Sequence, residues 1–275
     1  MSVGITTEQS SIEKTVIDAD SIIFIGCLPS KQLDDLGEPI LQDGKNVYRE
    51  KTFEEVVFHI DNMLLTLFND FNLQSYYGFY GVNSKENFRL KIFPEYKANR
   101  KLKKVPEFIK EAKEYINQQY GFIPVSGVET DDIVNIVRLD QNIMDCVSDK
   151  DNLHLSGVHY NMKTKAMEIV QPWEELKYLY WDMIVGQSGD GISGLHLKGK
   201  VFADKFFANY IPEEYLDGTV RNDLLSLYNS HYSDERLALQ EFYKNYMCLK
   251  LLSKWSEIPD NCNIKSLEDC KLVTI

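Results

Sequence analysis

The longest run of regularly spaced apolar residues lies between Thr52 and Phe71, where they recur every three or four positions. This spacing predicts a helix with one buried face, and Thr52 is a suitable N-cap at its start. The aromatic-rich segment Ser75 to Val82 is short and predicts a strand. Further helices are predicted from Pro106 to about Tyr120 and from Glu129 to Leu139. Helices and strands are therefore expected to alternate in this half of the chain.

Shorter apolar segments supply the other predicted strands. Val16 to Asp18 is expected to end a buried strand, and the apolar run Ile22 to Ile25 suits a helix that enters the core. Ile143 to Val147 is another strand candidate, and two short strands are expected on either side of the turn at Asn161 to Lys165. Strands that alternate with helices predict an α/β fold.

The pattern becomes almost entirely helical after Pro172. The predicted segments are a helix from Trp173 to Val185, a glycine-rich turn from Gly186 to Gly199, a helix to about Asn209, and helices near Asn222 to Tyr228 and Asp234 to Trp255. No internal repeat, low-complexity run or Pro/Gly/Ser-rich linker divides the sequence. We therefore expect an α/β core over residues 1–171 and a helical region over residues 172–275, packed together as one unit.

Composition narrows the class of protein. The 275 residues are 44% apolar, which is enough for a substantial core. No run approaches the roughly 20 apolar residues of a membrane helix, and Met1 to Lys14 is polar, so we expect a cytoplasmic protein that does not enter membranes. The five cysteines are scattered, and no pair has the spacing of a zinc or redox motif.

Charge is segregated along the chain. A net charge of −12 argues against a protein that coats nucleic acid non-specifically, because phosphate binding needs local cations. Between Lys85 and Lys104, however, eight basic residues stand against two acidic ones. This basic tract is a candidate nucleic-acid contact, and a solvated helix face is the plainer interpretation.

Several carboxylates fall where an α/β sheet places its sites. Glu129, Asp131 and Asp132 lie within one turn at the start of a predicted helix, and helix capping alone would explain one or two of them. The other acids follow predicted strands or lie in the glycine-rich turn: Asp18, Asp149, Asp151 and Asp190. Because the carboxyl ends of parallel strands converge, we expect these acids to share one pocket.

Converging carboxylates repel one another unless cations neutralise them, and hard oxygen ligands suit Mg²⁺ or Mn²⁺. A pair of such ions about 4 Å apart is a known device for phosphodiester cleavage. This chemistry needs no histidine nucleophile. His59, His154 and His159 are therefore expected to pack or form hydrogen bonds.

Five segments, taken in order, make the chain resemble the flap endonuclease and 5′→3′ exonuclease family, in particular the phage 5′ nucleases. The segments that carry the resemblance are Val16 to Asp20, Asn87 to Arg89 with Pro94 to Arg100, Gly127 to Asp132, Ser148 to Asp151, and Gly189 to Gly194. The resemblance covers roughly Thr15 to Asn209. It implies a PIN-like fold with a central, mostly parallel sheet flanked by helices.

The resemblance also implies a metal site and a catalytic set. Asp18, Glu129, Asp131, Asp132, Asp149 and Asp151 match acids that hold two Mg²⁺ or Mn²⁺ ions, and Asp190 matches the second acid of the Gly-Asp-x-x-Asp element. The implied catalytic residues are Lys97, Arg100 and Asp149. Of these, Lys97 and Arg100 are expected to contact the scissile phosphate.

Two nucleic-acid surfaces are implied as well. A helical arch over about residues 88–120 would clasp a single-stranded 5′ end, with Tyr96 available to stack on a base and Lys97, Arg100 and Lys101 supplying charge. A helix-hairpin-helix over about residues 186–210 would hold duplex phosphates through backbone N–H groups, with K⁺ as a possible bound ion. Its expected basic residues are Lys198, Lys200 and Lys205.

The chain departs from the family pattern at three places. Gln187 stands where the family has the first acid of Gly-Asp-x-x-Asp, and a neutral ligand would weaken the second metal position. The segment Gly81 to Asn83 offers no acid where the family has one. Leu197 occupies a position in the hairpin where glycine is usual, so phosphate and K⁺ contacts there would be altered.

Three hypotheses follow. The leading one is a monomeric, metal-dependent 5′ nuclease that removes RNA primers or trims DNA flaps. Its partners would be DNA or RNA/DNA with a 5′ end, flap or fork, and replication proteins are candidate partners. The second is a structure-specific binder that has lost catalysis through Gln187 and the missing acid. The third is an unrelated α/β phosphotransfer enzyme or phosphatase, and a small-molecule phosphatase would have no use for the Tyr96 to Arg100 tract.

Overall fold

The computed structural model describes residues 13–102 and 104–275, except for the side chains of Lys101 and Leu102. The nucleic-acid role expected for Lys101 therefore falls outside the described side chains. The helices have the following bounds: α1 Asp20–Cys27, α2 Phe53–Asp70, α3 Arg89–Ile92, α4 Ile109–Tyr120, α5 Thr130–Gln141, α6 Lys150–Leu153, α7 Pro172–Val185, α8 Lys200–Phe207, α9 Pro212–Leu216, α10 Thr219–His231 and α11 Glu235–Leu249. Short 3₁₀ turns lie at Ser84–Glu86, Ala98–Leu102, Ser188–Asp190, Trp255–Glu257 and Leu267–Asp269.

The strands form one large sheet and three small hairpin pairs. Their bounds are β1 Lys14–Asp18, β2 Ser30–Lys31, β3 Leu41–Gln42, β4 Lys45–Asn46, β5 Tyr48–Arg49, β6 Ser75–Asn83, β7 Ile123–Ser126, β8 Met144–Val147, β9 Gly157–Asn161, β10 Ala166–Val170, β11 Gly186–Gln187, β12 Ile192–Ser193 and β13 Leu272–Thr274. Seven of them make the large sheet, in the order β10, β9, β8, β1, β6 and β13, with β7 also paired to β6.

Pairing in the large sheet is mostly parallel. The four central pairs β8–β9, β1–β8, β1–β6 and β6–β7 run parallel, and only the outer strands β10 and β13 run antiparallel to their neighbours. All four residues of β8 are buried, as expected of a parallel strand covered on both faces. The predicted α/β fold with a central, mostly parallel sheet and flanking helices is confirmed.

One hydrophobic cluster lies on each face of the sheet. On one face, α1, α2 and α4 pack around residues such as Ile60 and Ile116. Helix α2 begins with a capping box in which the Thr52 side chain accepts from the Glu55 N–H and Glu55 accepts from the Thr52 N–H, so the predicted N-cap is confirmed. On the other face, α5 packs with the C-terminal segment around residues such as Ile133 and Leu252. The sheet edge that carries Asp18 is thus held rigidly from both sides.

Helices α7 to α11 form a third cluster of their own. Helix α11 ends at Leu249, although the apolar pattern predicted a helix to Trp255. The buried Arg89 side chain explains the early end, because its Nε and Nη2 atoms donate to the carbonyls of Cys248 and Lys250 at 3.2 and 2.9 Å. These carbonyls therefore have partners where the helix stops.

The last 25 residues do not extend the helical layer. They return along the sheet, where Leu272–Thr274 pairs antiparallel with Ser75 to Tyr77 of β6. This corrects the expectation of a helical region that continues to residue 275. Within residues 13–102 and 104–275, no helix is both long enough and apolar enough to span a membrane.

The segment expected to form a helical arch is only partly helical. Its described parts are α3, the 3₁₀ turn Ala98–Leu102 and α4, which begins at Ile109 rather than near Pro106. Lys97 and Phe108 have φ angles of 54° and 66°, and each such left-handed residue interrupts a regular helix. The described parts of the segment are thus two helices and a turn, and Lys97 and Arg100 in it contact Glu129 and Asp190.

Candidate active site

Three carboxylates meet at the carboxyl edge of the sheet, as strand order dictates. Asp18 ends β1, Asp149 follows β8, and Asp131 lies in the first turn of α5. Asp18 and Asp131 are close enough that each carboxylate changes the pKa of the other. Burial, together with the charges of Asp20 and Asp149, raises the pKa of Asp18 to about 8. Burial and the same crowding by Asp18 and Asp149 raise the pKa of Asp131 well above its usual value.

Asp20 and Asn152 hold this group in place, and neither was among the predicted site residues. Asp20 accepts from the Gly81 N–H at 3.0 Å and from the Thr130 hydroxyl at 2.7 Å, so it ties β6 to the start of α5. Asn152 is fully buried and donates from Nδ2 to Asp131 Oδ1 at 2.5 Å. Their sequence signal was proximity alone, since each lies within three residues of a predicted ligand.

Asp149 also faces a cavity of about 680 Å³, where a second acidic group lies. Asp151 and Asp190 line this cavity, together with Asp149, Arg100 and Lys200. Burial, with the neighbouring Asp149, raises the pKa of Asp151 to about 6. The cavity therefore gathers acids from α6 and from the glycine-rich turn beside three cations, Arg100, Lys150 and Lys200.

Gln187, which replaces a family acid, also lines the cavity. Its amide Nε2 donates to Asp151 Oδ1 at 2.7 Å. An aspartate at this position would repel Asp151, whereas the glutamine amide forms a hydrogen bond with it. The amide also leaves one carbonyl oxygen that can serve as a neutral ligand.

The basic tract closes one side of the site. Lys97 Nζ forms an ion pair with Glu129 Oε1 and lies 3.7 Å from Asp190 Oδ2. Arg100 Nη2 donates to Asp190 Oδ1 at 2.6 Å. The Lys97 N–H also donates to the Asp190 carbonyl at 2.8 Å, so backbone and side chains both join the tract to the glycine-rich turn.

Neighbouring cations lower the pKa of Glu129. Burial alone would raise the pKa of Glu129, but the charges of Lys97 and Arg89 outweigh it and hold that pKa below its usual value. Glu129 is therefore an ionised carboxylate even without a metal ion. Its negative charge and that of Asp190 are already matched by Lys97 and Arg100.

Tyr96 does not stand ready to stack on a base in this structure. It is only 5% exposed, and its hydroxyl lies 3.3 Å from both Glu129 Oε2 and Asp190 Oδ2. It packs with Ile192 and Cys248 in a small cluster between the core and the helical region. This corrects the expectation of an exposed stacking residue, because the glycine-rich turn covers the ring.

Asp132 also departs from its expected role as a metal ligand. Its two oxygens accept from Arg89 Nη1 and Nη2 at 2.6 and 2.8 Å, and neither side chain is exposed. The N–H groups of Glu129 and Leu252 donate to the same carboxylate at 3.0 and 2.9 Å. Asp132 therefore holds the start of α5 against Arg89 and the C-terminal segment rather than facing the acid group.

The lysines expected in the hairpin lie around α8. Lys200 lines the cavity that holds the acids. The Lys198 amine lies 4.1 Å from the centre of the Phe202 ring, and Lys205 is exposed on the same helix. The helix α7, the β11–β12 turn and α8 thus bring a basic edge to the cavity.

Within the described residues, no group of three or more His, Cys, Asp or Glu side chains is already arranged to chelate an ion. Contacts among the site residues explain why these acids are not arranged around an ion. Lys97 and Arg100 pair with Glu129 and Asp190, and Asn152 donates to Asp131. The donor set nevertheless consists of hard carboxylate and amide oxygens, which fits Mg²⁺ or Mn²⁺.

Comparison with solved structures identifies the fold of the chain. The chain has the PIN-like α/β fold of 5′ exonucleases and flap endonucleases. It is similar to the D15 protein of bacteriophage T5 crystallised with metal ions, with a TM-score of 0.59 and 15% identity over 87% of this chain and 90% of the other. The T5 5′-exonuclease with bound zinc gives a TM-score of 0.57 at 14% identity, covering 87% of this chain and 90% of that one.

A variant of the T5 D15 flap endonuclease, in a complex with DNA and metal ions, gives a TM-score of 0.54. Its identity to this chain is 14%, covering 86% of this chain and 91% of that one. The sequence itself matches no protein-family model and no curated protein. The likeness is therefore one of fold, and the chemistry has to be argued from the residues.

Proposed function

We propose that this protein is a metal-dependent 5′ nuclease that hydrolyses phosphodiester bonds at a 5′ end or flap of DNA or of an RNA primer. The observation that carries the proposal is the single cavity where Asp149, Asp151 and Asp190 meet Arg100. Acids that can bind metal and cations that can bind phosphate thus line one space. A phosphodiester is the substrate that needs both.

The proposed ligands fall into two groups. Asp18, Asp131 and Asp149 form the first, and Glu129, Asp151 and Asp190 form the second, with Gln187 as a neutral ligand. Divalent ions in these positions would lower the pKa of a bound water and offset the charge that develops on the phosphorane. We leave Asp132 out of the set, because Arg89 and two backbone N–H groups already occupy its oxygens.

Lys97 and Arg100 are the proposed phosphate ligands. Both pair with acids in the absence of substrate, and both are cations that can turn from a carboxylate to a phosphate oxygen. Arg100 offers the planar fork that suits bidentate contact, while Lys97 offers a point charge next to Glu129. Their role is to position the scissile phosphate over the carboxylates and to stabilise its added charge.

The direct test is cleavage of a 5′-labelled flap in Mg²⁺ or Mn²⁺, with EDTA as the metal-free arm. We expect metal-dependent release of the flap, and a loss of about 10²-fold or more in Asp149→Ala. Asp140→Ala is the matched control, because Asp140 is an exposed acid at the far end of α5 from Asp131. If the wild type does not cleave in either metal, the proposal is wrong.

A second candidate function is structure-specific binding without catalysis. The hydrogen bond from Gln187 to Asp151 favours it, because an amide that occupies Asp151 weakens that carboxylate as a metal ligand. Binding to forked DNA without cleavage, and without rescue by Gln187→Asp, would support this alternative. Cleavage that rises in Gln187→Asp would instead support a nuclease with a weak second metal position.

A further inference from the structure

The turn that leads into α8 carries an unusual residue. Leu195 to Lys198 form a tight turn in which the Lys198 N–H donates to the Leu195 carbonyl at 2.9 Å. The third residue, Leu197, has a φ of 60°. Turns with a positive φ at this position favour glycine or asparagine, because a Cβ atom there crowds the backbone. Leucine is thus a strained choice at this position.

The Leu197 side chain gains no packing that would offset the strain. It is 88% exposed, more than any other large apolar side chain of the described residues. Val201, one turn further along, is 69% exposed on α8. The apolar tip formed by Leu197 and Val201 therefore faces solvent, which is where an apolar side chain contributes least to folding.

Cations flank this apolar tip. Lys198 lies over the Phe202 ring at 4.1 Å, and Lys200 lies over the Trp181 ring at 6.0 Å. Within the described part of the chain, neither amine forms an ion pair with a carboxylate. Lys200 also lines the cavity with Asp149, Asp151 and Asp190, so the apolar tip lies next to the proposed site of cleavage.

We propose that Leu197 is an apolar wedge that enters the minor groove of the duplex beside the cleaved strand, while Lys198 and Lys200 contact the phosphates on either side. The inference rests on the proposed function, and it names how the duplex part of the substrate is bound. Leucine is one of the side chains that proteins insert between base steps, and flanking cations offset the phosphate charge. A glycine turn would instead bring backbone N–H groups up to a phosphate.

Anionic lipid is the other surface that an apolar tip with flanking lysines could meet. Duplex DNA is favoured because Lys200 both flanks the apolar tip and lines the cavity that the proposed function gives to a nucleic-acid strand, so one ligand would occupy both. Lipid binding therefore serves as an outcome of the test.

The test is binding of a blunt DNA duplex that carries 2-aminopurine, measured in EDTA so that no cleavage intervenes. We expect Leu197→Gly and Leu197→Ala to weaken binding about tenfold and to abolish the rise in 2-aminopurine fluorescence that reports unstacking. Leu197→Met should retain both signals, since methionine is also a wedge. Leu216→Ala is the control, because Leu216 is 58% exposed on α9 outside the turn.

The Leu197→Gly variant distinguishes duplex binding through the leucine side chain from duplex binding through the turn backbone. Glycine relieves the positive φ, so this variant should be at least as stable as the wild type in a thermal melt. If it binds duplex equally well or more tightly, the turn uses its backbone and the wedge is excluded. If Leu197→Gly loses binding to vesicles of anionic lipid while its duplex binding is unchanged, the wedge is excluded as well. A wild type that does not bind duplex would also exclude it.

The wedge and the nuclease can fail separately. Cleavage of a flap by the wild type, with duplex affinity independent of Leu197, would overturn the wedge and leave the nuclease. Leu197-dependent duplex binding without cleavage in Mg²⁺ or Mn²⁺ would overturn the nuclease and leave the wedge.

Discussion

Asp131 and Asp132 are adjacent, and they illustrate how strongly direction matters on a helix. Neighbouring residues of an α-helix point about 100° apart, so the two carboxylates start out in different directions. Asp131 turns toward Asp18 and Asn152, and Asp132 turns toward Arg89. Two acids that look equivalent in the sequence therefore have different physical roles.

We expect Asp132→Asn to lower the free energy of unfolding by about 3–5 kcal/mol, because it leaves the buried Arg89 charge without its partner. Asp131→Asn should instead leave stability unchanged or raise it at neutral pH, because burial and Asp18 make its ionised form unfavourable. Urea unfolding in EDTA measures both changes. Equal destabilisation by the two variants would contradict the separation of roles.

The raised pKa of Asp18 predicts how stability depends on pH without metal. The pKa is about 8 in the folded state against a usual value of 3.8, so folding takes up a proton between these limits. Stability should therefore fall as pH rises from about 4 to 8. Urea midpoints at pH 5 and pH 8 in EDTA test this, and Asp18→Asn should flatten the slope. A wild type that is equally stable at both values would contradict the raised pKa.

Lys97 pairs with Glu129 and lies 3.7 Å from Asp190, so under the proposed function it would compete with a divalent ion for these two acids. We expect Lys97→Met to bind Mn²⁺ several-fold more tightly without substrate, since the acids lose a cation, and to cleave flaps about 10²-fold more slowly. Mn²⁺ binding can be followed by electron paramagnetic resonance. Lys91→Met is the control, because Lys91 is exposed in the same basic tract. Unchanged or weaker Mn²⁺ binding by Lys97→Met would contradict the competition.

Among the elements, those that local sequence determines were predicted best. Helix α2 carries its own capping box and apolar stripe, so both its start and its end follow from neighbouring residues. Strands β6 and β8 follow from short apolar runs in the same way. The positions of Asp18 and Asp149 were predictable for the same reason, because each follows directly from a strand end.

Elements that depend on distant partners escaped prediction. Strand β13 has three residues and exists because Ser75 to Tyr77 of β6 offers an open edge. Helix α11 stops where Arg89, which lies more than a hundred residues earlier, takes its carbonyls. The burial of Tyr96 likewise depends on the turn at Asp190. Such contacts join segments whose sequences carry no mark of each other, so only the folded chain reveals them.

Over the whole molecule, a net charge of −12 surrounds a few cations that line one side of the site. The bulk of the protein repels DNA, so binding depends on those cations and should be sensitive to salt. The candidate phosphate contacts are Lys97, Arg100, Lys198, Lys200 and Lys205. Because each contact contributes about −0.9 to the slope of log K against log salt for a duplex and about −0.7 for a single strand, we expect a slope between about −3.5 and −4.5 for a flap substrate.

The contribution of a single cation to binding can be measured in the same way. Lys200→Gln should weaken flap binding and reduce the size of the slope by about 1, because one phosphate contact and its released counterions are lost. Lys254→Gln provides the comparison, since Lys254 is exposed outside the site. Fluorescence anisotropy across a series of KCl concentrations in EDTA measures both slopes. If the two variants shift the slope equally, binding reflects the overall charge of the protein rather than a contact at the cavity.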